Sequence, residues 1–149
     1  MRERFTADLK AAMKSGEKQK VETIRMITAG LKDRDIEARA TGKTLTDDDI
    51  LALLQKMVKS RQESVEIYEK GGRPELAEKE RAEIAVISDY LPQQLSEAEV
   101  AEAIKAAIAE TGAASIKDMG KVVAALKAKY TGRIDFGKAS AAVKAALGG

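Results

Sequence analysis

Apolar side chains recur at steps of three and four residues along most of the chain, which is the spacing of one face of an α-helix. One stripe runs from Ile24 through Ile27 to Leu31. A longer stripe begins at Ile50 and ends at Tyr68, and the other faces of that segment are charged. No segment alternates convincingly between apolar and polar residues, although residues 133–136 hint at an extended conformation. The pattern predicts an all-α fold.

Two prolines divide this pattern. Proline cannot continue the interior of a helix and restricts the residue before it, so Pro74 and Pro92 mark breaks. After Pro92 the stripes are shorter and richer in alanine. We therefore expect an amino-terminal subdomain of about four helices over residues 1–91, a hinge at Pro92, and a three-helix carboxyl-terminal bundle over residues 92–149.

Local signals at the predicted helix ends agree with this division. A serine or threonine three residues before an acid satisfies free backbone donors at the amino end of a helix. Such pairs are Thr46 with Asp49, Ser96 with Glu99, and Ser115 with Asp118. Glycines at positions 71, 72, 112 and 132 follow the periodic runs and suit the left-handed residue that ends a helix. Pro74 then suits the first turn of the following helix.

Two arginines fall within or beside apolar stripes. Arg25 lies next to Ile24, and Arg61 fills a gap in the stripe that begins at Ile50. An arginine in such a position either forms an ion pair or packs its aliphatic stem along the apolar surface. The sequence does not indicate which of these arrangements applies to either residue.

The chain contains neither cysteine nor histidine, and these absences exclude whole classes of chemistry. Thiol nucleophiles, disulfides, iron–sulfur clusters and the usual zinc sites need one of these residues. The common hydrolase triads need histidine as the general base. Catalysis would therefore depend on carboxylates, lysine, serine or tyrosine. Among the serines, we interpret Ser96 and Ser115 as helix caps. We expect no catalytic residue and no cofactor.

Two other segments suggest ligand sites but have simpler interpretations. Clustered carboxylates at Asp47, Asp48 and Asp49 suit a divalent cation, yet an acidic first turn that complements the helix dipole explains them without a metal. The turn at residues 71–73 resembles a phosphate-binding loop, but it lacks the strand and the lysine–serine sequence of a P-loop. We expect roles at helix ends for both segments, and no metal site.

Composition and hydropathy bound the cellular setting. Apolar residues make up 44% and charged residues 34% of the chain, which is too apolar for intrinsic disorder and too charged for a membrane protein. No apolar run approaches the roughly 20 residues that a membrane span needs. Residues 1–8 carry acids and lead into no apolar stretch, unlike a signal peptide. We expect a cytoplasmic protein with no membrane partner.

Positive charge is concentrated near the carboxyl end. Residues 1–91 carry 18 basic and 18 acidic side chains, whereas residues 111–149 carry 7 basic and 2 acidic ones. Such clustering suits contact with a phosphate backbone, and a tyrosine beside it offers a surface for stacking on a base. A solvated lysine face explains the same composition equally well. The candidate nucleic-acid-binding residues are Lys117, Lys121, Lys127, Lys129, Tyr130, Arg133 and Lys138.

Residues 83–96, with the sequence EIAVISDYLPQQLS, resemble the GatB/YqeY domain family, specifically its free-standing YqeY-like members. Further similarity lies at residues 53–59, 61–64, 117–122 and 132–135, so the resemblance covers nearly the whole chain. No single motif is diagnostic, but the order and spacing of the motifs together are.

The resemblance implies a two-part helical fold homologous to the tail of the B subunit of the tRNA-dependent amidotransferase. That enzyme amidates glutamate or aspartate on mischarged tRNA with glutamine as nitrogen donor. In the family the tail contacts tRNA, while the chemistry lies in other domains and subunits. A carbon–nitrogen ligase label would therefore be inherited by homology.

Three functional hypotheses follow. The first is a non-catalytic tRNA-binding accessory module that uses the basic carboxyl-terminal residues. The second is a protein adaptor whose amino-terminal helices dock on an amidotransferase or synthetase component, and an exposed apolar patch would distinguish it. The third is a weak amide-transfer enzyme, which would need a cleft with convergent polar groups.

Overall fold

The computed structural model describes residues 1–148, which form seven α-helices, one 3-10 turn and no β-strand. Gly149, the last residue of the predicted carboxyl-terminal subdomain, lies outside the described residues. In chain order the helices are α1 (Arg2–Ser15), α2 (Lys18–Ala40), α3 (Asp47–Lys70), α4 (Pro74–Ser88), α5 (Glu97–Thr111), α6 (Met119–Tyr130) and α7 (Phe136–Ala146). The 3-10 turn, Ile116–Asp118, precedes α6. The predicted all-α fold, with four helices followed by three, is confirmed.

The chain divides into two compact units, Met1–Leu91 and Pro92–Gly149. In the first unit α3 packs along α4, and α2 contacts α1, α3 and α4. The predicted stripes on α2 and α3 point into the core of this unit, where burial of each large apolar side chain contributes about 1.5–3 kcal/mol. The buried core residues are Phe5, Ile24, Ile27, Leu31, Ile50, Leu53, Leu54, Ile87 and Tyr90.

Two of the three predicted capping pairs are confirmed. The Thr46 hydroxyl accepts from the backbone N–H of Asp49, whose carboxylate accepts from the N–H of Thr46. Ser96 and Glu99 form the same reciprocal pair at the start of α5.

The third capping prediction is wrong, because the Ser115 hydroxyl makes no capping hydrogen bond. The Asp118 carboxylate instead accepts from the backbone N–H of Ala114, 3.0 Å away. The segment between α5 and α6 closes as a 3-10 turn, in which the acid accepts from a backbone donor four residues back. The glycine stops are confirmed at Gly72 and Gly112, which both have positive φ.

The two unexplained arginines differ in their surroundings. Arg61 forms an ion pair with Glu83 of α4 across 2.9 Å, and the Glu83 side chain is only 7% exposed. The Arg61 guanidinium also donates to the backbone oxygen of Met57, one turn earlier on α3. Arg25 lies on an exposed face of α2. Ion pairing therefore explains Arg61.

In the second unit α6 contacts both α5 and α7, and α5 also contacts α7. Alanines on α5 and α7 allow close approach between the helices, and Leu126 and Val143 fill the space between them. The buried residues of this core are Ala103, Ile104, Ala107, Val122, Leu126 and Val143. This core fixes α6 and the loop that follows it, which carry most of the candidate binding residues.

Within the described part of the chain, no helix combines the length and the apolar character that crossing a membrane requires. The same residues contain no group of three or more acids positioned to hold a metal ion. The acidic turn at Asp47 forms the start of α3, where it follows the Thr46 cap.

Candidate nucleic-acid interface

The loop between α6 and α7 is fixed by hydrogen bonds from the segment that precedes α5. Gly132 adopts a φ of 81°, which a side chain would strain, and its carbonyl accepts from Nε2 of Gln94 at 2.6 Å. The backbone N–H of Leu95 donates to the carbonyl of Arg133 at 3.0 Å. Two adjacent backbone oxygens of the loop are thus held by residues nearly 40 positions earlier in the chain. These hydrogen bonds anchor the backbone of the loop.

Arg133 is itself part of this anchoring. Its Nε donates to the backbone oxygen of Gln93 at 2.9 Å, and its guanidinium carbon lies 5.9 Å from the centre of the Tyr130 ring. The Arg133 side chain is half-buried. The Nε contact uses one donor of the guanidinium, and the two terminal nitrogens carry the remaining N–H groups that a phosphate would need.

Tyr130 lies at the end of α6 and is half-buried against the core of the second unit. Arg133 lies within cation–π distance of its ring. Part of the ring is therefore committed to packing, which limits the surface that Tyr130 offers to a base.

The three lysines of α6 do not share one face. Lys129 forms an ion pair with Glu110 of α5 across 3.0 Å, with both side chains more than half exposed. The hydrogen bond to Glu110 raises the pKa of Lys129. Lys127 instead lies with its Nζ 5.8 Å from the centre of the Phe136 ring, at the start of α7. Positions two residues apart on an α-helix point to nearly opposite sides, which separates these two lysines.

The remaining candidate lysines are exposed. Lys121 is 72% exposed, and its Nζ lies 3.9 Å from Asp118, at the limit of an ion pair. Lys117 lies in the 3-10 turn, outside α6. The four-residue spacing between Lys117 and Lys121 predicts one shared α-helical face, whereas in the structure these two lysines lie in different elements. Lys138 lies in the first turn of α7, on the far side of the anchored loop.

Acids on α5 balance part of this positive charge. The whole second unit carries 8 basic and 6 acidic side chains, and four of those acids lie on α5. One of them, Glu110, forms an ion pair with Lys129. The sequence could not reveal this pair, because the two residues lie on different helices and are 19 positions apart. Lys117, Lys127 and Lys138 form no ion pair among residues 1–148. The arrangement suits several separate contacts to phosphates rather than one dense patch.

Comparison with known proteins places the chain in a family. It matches the family described as Yqey-like protein over residues 2–147. It is 36% identical over 132 residues to a protein of Pyrenophora tritici-repentis named altered inheritance of mitochondria protein 41, mitochondrial, covering 85% of this chain and 71% of that protein. It is 37% identical over 95 residues to the protein of the same name from Lachancea thermotolerans, covering 62% of this chain.

The matched region spans 50% of the Lachancea thermotolerans protein, so that relative contains a large part without a counterpart here. The family match, in contrast, extends through all seven helices that residues 1–148 form. The resemblance drawn from residues 83–96 is thereby confirmed, and the chain belongs to the YqeY-like protein family.

Proposed function

We propose that this chain is a non-catalytic accessory module that binds tRNA through the carboxyl-terminal unit. The observation that carries the proposal is the set of cations around an anchored loop, of which the lysines are exposed and Arg133 is half-buried. Lys127 and Lys138 flank the loop, and Arg133 lies within it. A fixed loop lowers the entropic cost of binding, because its backbone is ordered before the RNA arrives.

The candidate lysines differ in whether an ion pair must break before they can bind a phosphate. Lys117, Lys127 and Lys138 meet a phosphate without breaking an ion pair within the described structure. Lys129 must first release Glu110, and Lys121 must release a marginal contact with Asp118. Tyr130 offers only part of its ring for stacking, since it is half-buried and Arg133 lies within cation–π distance of it. Phosphate contact without base-specific hydrogen bonds predicts salt-sensitive binding with little sequence preference.

The test is binding of the full-length protein to bulk tRNA at several salt concentrations, measured by fluorescence anisotropy. The double variant Lys127→Ala/Lys138→Ala should weaken binding. It should also make the slope of log affinity against log salt less steep by about 2, because each lost phosphate contact reduces the steepness by about 1. Lys105→Ala is the matched control, since Lys105 is an exposed lysine of the same unit on α5. An unchanged slope in the double variant, or an equal change in the control, would overturn this surface.

The protein-adaptor function is the second candidate. Three large apolar side chains in the first unit are more than half exposed: Met13, Ile36 and Ile67. They lie on three different helices, and scattered exposed apolar residues are ordinary in monomers. Absence of tRNA binding at low salt would favour the adaptor, with an amidotransferase or synthetase subunit as the partner to test.

The proposed tRNA binding is compatible with two cellular compartments. The sequence alone favours the cytoplasm, while the fungal relatives carry the word mitochondrial in their names. Both compartments contain tRNA, so the proposed binding applies in either. Glutamine-dependent amide transfer remains a function of the amidotransferase with which this module would associate.

A further inference from the structure

A cleft of about 360 Å³ lies in the amino-terminal unit, along the line where α3 packs against α4. Its size falls near the lower end of pockets that hold small molecules, which is roughly 300 Å³. Helix α3 contributes Ser60, Arg61, Ser64 and Tyr68 to its walls. The cleft therefore brings hydroxyl groups and charges into one small concave space.

Two of the charged side chains in the cleft neutralise each other. Arg61 and Glu83 form a short ion pair across 2.9 Å, and both are largely buried. A second bond from Arg61 to the backbone of Met57 fixes the guanidinium further. This pair forms a neutral floor for the cleft and holds its two walls together.

Two opposite charges in the same cleft are not paired. Lys79 and Glu80 follow each other on α4 and both line the cleft, yet neither forms an ion pair within the described residues. Burial, and then the nearby charge of Glu83, raises the pKa of Glu80, whereas Arg61 and Lys79 lower it. Glu80 is thus a partly desolvated carboxylate without a bonded partner, beside an exposed ammonium.

The rest of the lining suits a ligand with both polar and apolar parts. The Ser64 hydroxyl donates its proton to the backbone oxygen of Ser60 at 3.2 Å, which leaves its oxygen free to accept from an ammonium. Met26 and Leu76 supply apolar surface, and Tyr68 adds an aromatic ring. No group of acids suited to a metal ion occurs in residues 1–148, which favours an organic ligand over a divalent cation.

We propose that this cleft binds a small zwitterion, an α-amino acid with an apolar side chain. Its ammonium group binds Glu80 and the Ser64 oxygen, and its carboxylate binds Lys79. Its side chain packs against the apolar wall at Met26 and Leu76. The four charged residues of the cleft sum to zero, so a ligand of zero net charge with separated ends matches them better than a simple ion does.

The experiment is an NMR titration of the full-length ¹⁵N-labelled protein with L-leucine, L-methionine and L-phenylalanine at millimolar concentrations. We expect at least one of them to shift the backbone amides of Ser64 and Glu80. Isopentylamine and 4-methylpentanoate, which each keep one charged end of leucine, should bind about tenfold more weakly or worse, because each loses a charge-assisted hydrogen bond.

Variants locate the site. Glu80→Gln and Lys79→Gln should each weaken the binding by about tenfold or more. Glu75→Gln is the control, since it makes the same change at an exposed position of α4 outside the cleft, and it should bind as the unmodified protein does. The proposal is overturned if none of the three amino acids shifts these amides, if the amine alone binds as tightly as leucine, or if Glu75→Gln weakens binding as much as Glu80→Gln.

Discussion

Arg61 and Glu83 form a largely buried ion pair between α3 and α4, with Nε of the guanidinium donating to Oε2 of the carboxylate at 2.9 Å. The pair lies where an apolar side chain would continue the α3 stripe. Both side chains are largely shielded from water, so each charge depends on the other for its stability.

Removing one partner of this pair should be strongly destabilising. Arg61→Met leaves Glu83 buried and unpaired, and we expect it to lower the free energy of unfolding by about 3–5 kcal/mol. The double variant Arg61→Met/Glu83→Leu should recover most of that loss, because no buried charge remains. Urea denaturation measures both, and Arg25→Met, at an exposed arginine of α2, should change stability by less than about 0.5 kcal/mol. A double variant as unstable as Arg61→Met would contradict this account.

The capping hydrogen bonds at the helix starts predict that three similar substitutions to alanine lower the free energy of unfolding by unequal amounts. Thr46→Ala and Ser96→Ala should each cost about 1 kcal/mol, because each removes a hydroxyl that accepts from the backbone at a helix start. Ser115→Ala should cost much less, since that hydroxyl makes no capping bond. Chemical denaturation of the three variants under one condition tests the ranking, and an equal loss for Ser115→Ala would show that the 3-10 turn depends on its hydroxyl.

Tyr90 should make stability sensitive to alkaline pH. Its hydroxyl donates to Asp8 across 2.5 Å, and burial, followed by that hydrogen bond, raises its pKa above the ordinary value of 10.0. The native state therefore holds this proton more tightly than the unfolded chain does. Its stabilising contribution is complete below pH 10.0 and is lost as the pH rises further.

Tyr90→Phe tests that dependence. We expect a loss of about 1–2 kcal/mol at neutral pH and a shallower decline of stability in alkaline solution, measured by thermal unfolding across the pH range. Tyr68→Phe is the comparison, since it removes the hydroxyl of another half-buried tyrosine, on α3. The same decline in Tyr90→Phe and the unmodified protein would assign it to other groups.

Glu80 should have an effect of the same sign in the acid range. Its raised pKa means that the native state favours the protonated carboxyl, so its contribution falls as the pH rises above the ordinary value of 4.5. Glu80→Gln should raise the melting temperature slightly at neutral pH, and this difference should vanish at low pH. Scanning calorimetry with Glu75→Gln as control measures it, and a constant difference at all pH values would exclude titration of Glu80 as the cause.

The Glu110–Lys129 pair predicts a gain of binding. Glu110→Gln removes the acid that occupies Lys129 and frees this lysine for a phosphate. Affinity for tRNA should rise, and the salt slope should become steeper by about 1. Glu102→Gln, which removes an acid elsewhere on α5, is the control because it alters the net charge equally. An equal gain in both variants would point to overall charge rather than to the release of Lys129.

Much of the fold could be predicted from neighbours along the chain. The stripe from Ile24 to Leu31, the capping pairs at Thr46 and Ser96, and the left-handed glycines at positions 72, 112 and 132 depend on residues within about four positions, and each is present in the structure, whereas Gly71 has a negative φ. The Ser115 prediction failed because the same residue spacing is compatible with an α-helix or a 3-10 turn, and the structure has the 3-10 turn.

The candidate binding residues show the same limit. Composition identified the basic side chains, but their grouping depends on the direction in which each helix face points. Lys127 and Lys129 are neighbours in sequence, yet one lies beside Phe136 and the other is paired with Glu110. Arg133 appears in the sequence as a free cation, whereas the structure ties it to Gln93.

The sequence by itself determined the helical class, the positions of most helix ends and the excess of basic residues near the carboxyl end, because these follow from composition and from interactions within one or two helical turns. Only the tertiary structure decided which charges are paired, which loop is held rigid and where a cleft opens. Arg61 and Glu83 are 22 positions apart, and Gln93 and Arg133 are 40 apart. Contacts over such separations depend on how helices pack against one another, and no local periodicity encodes that geometry.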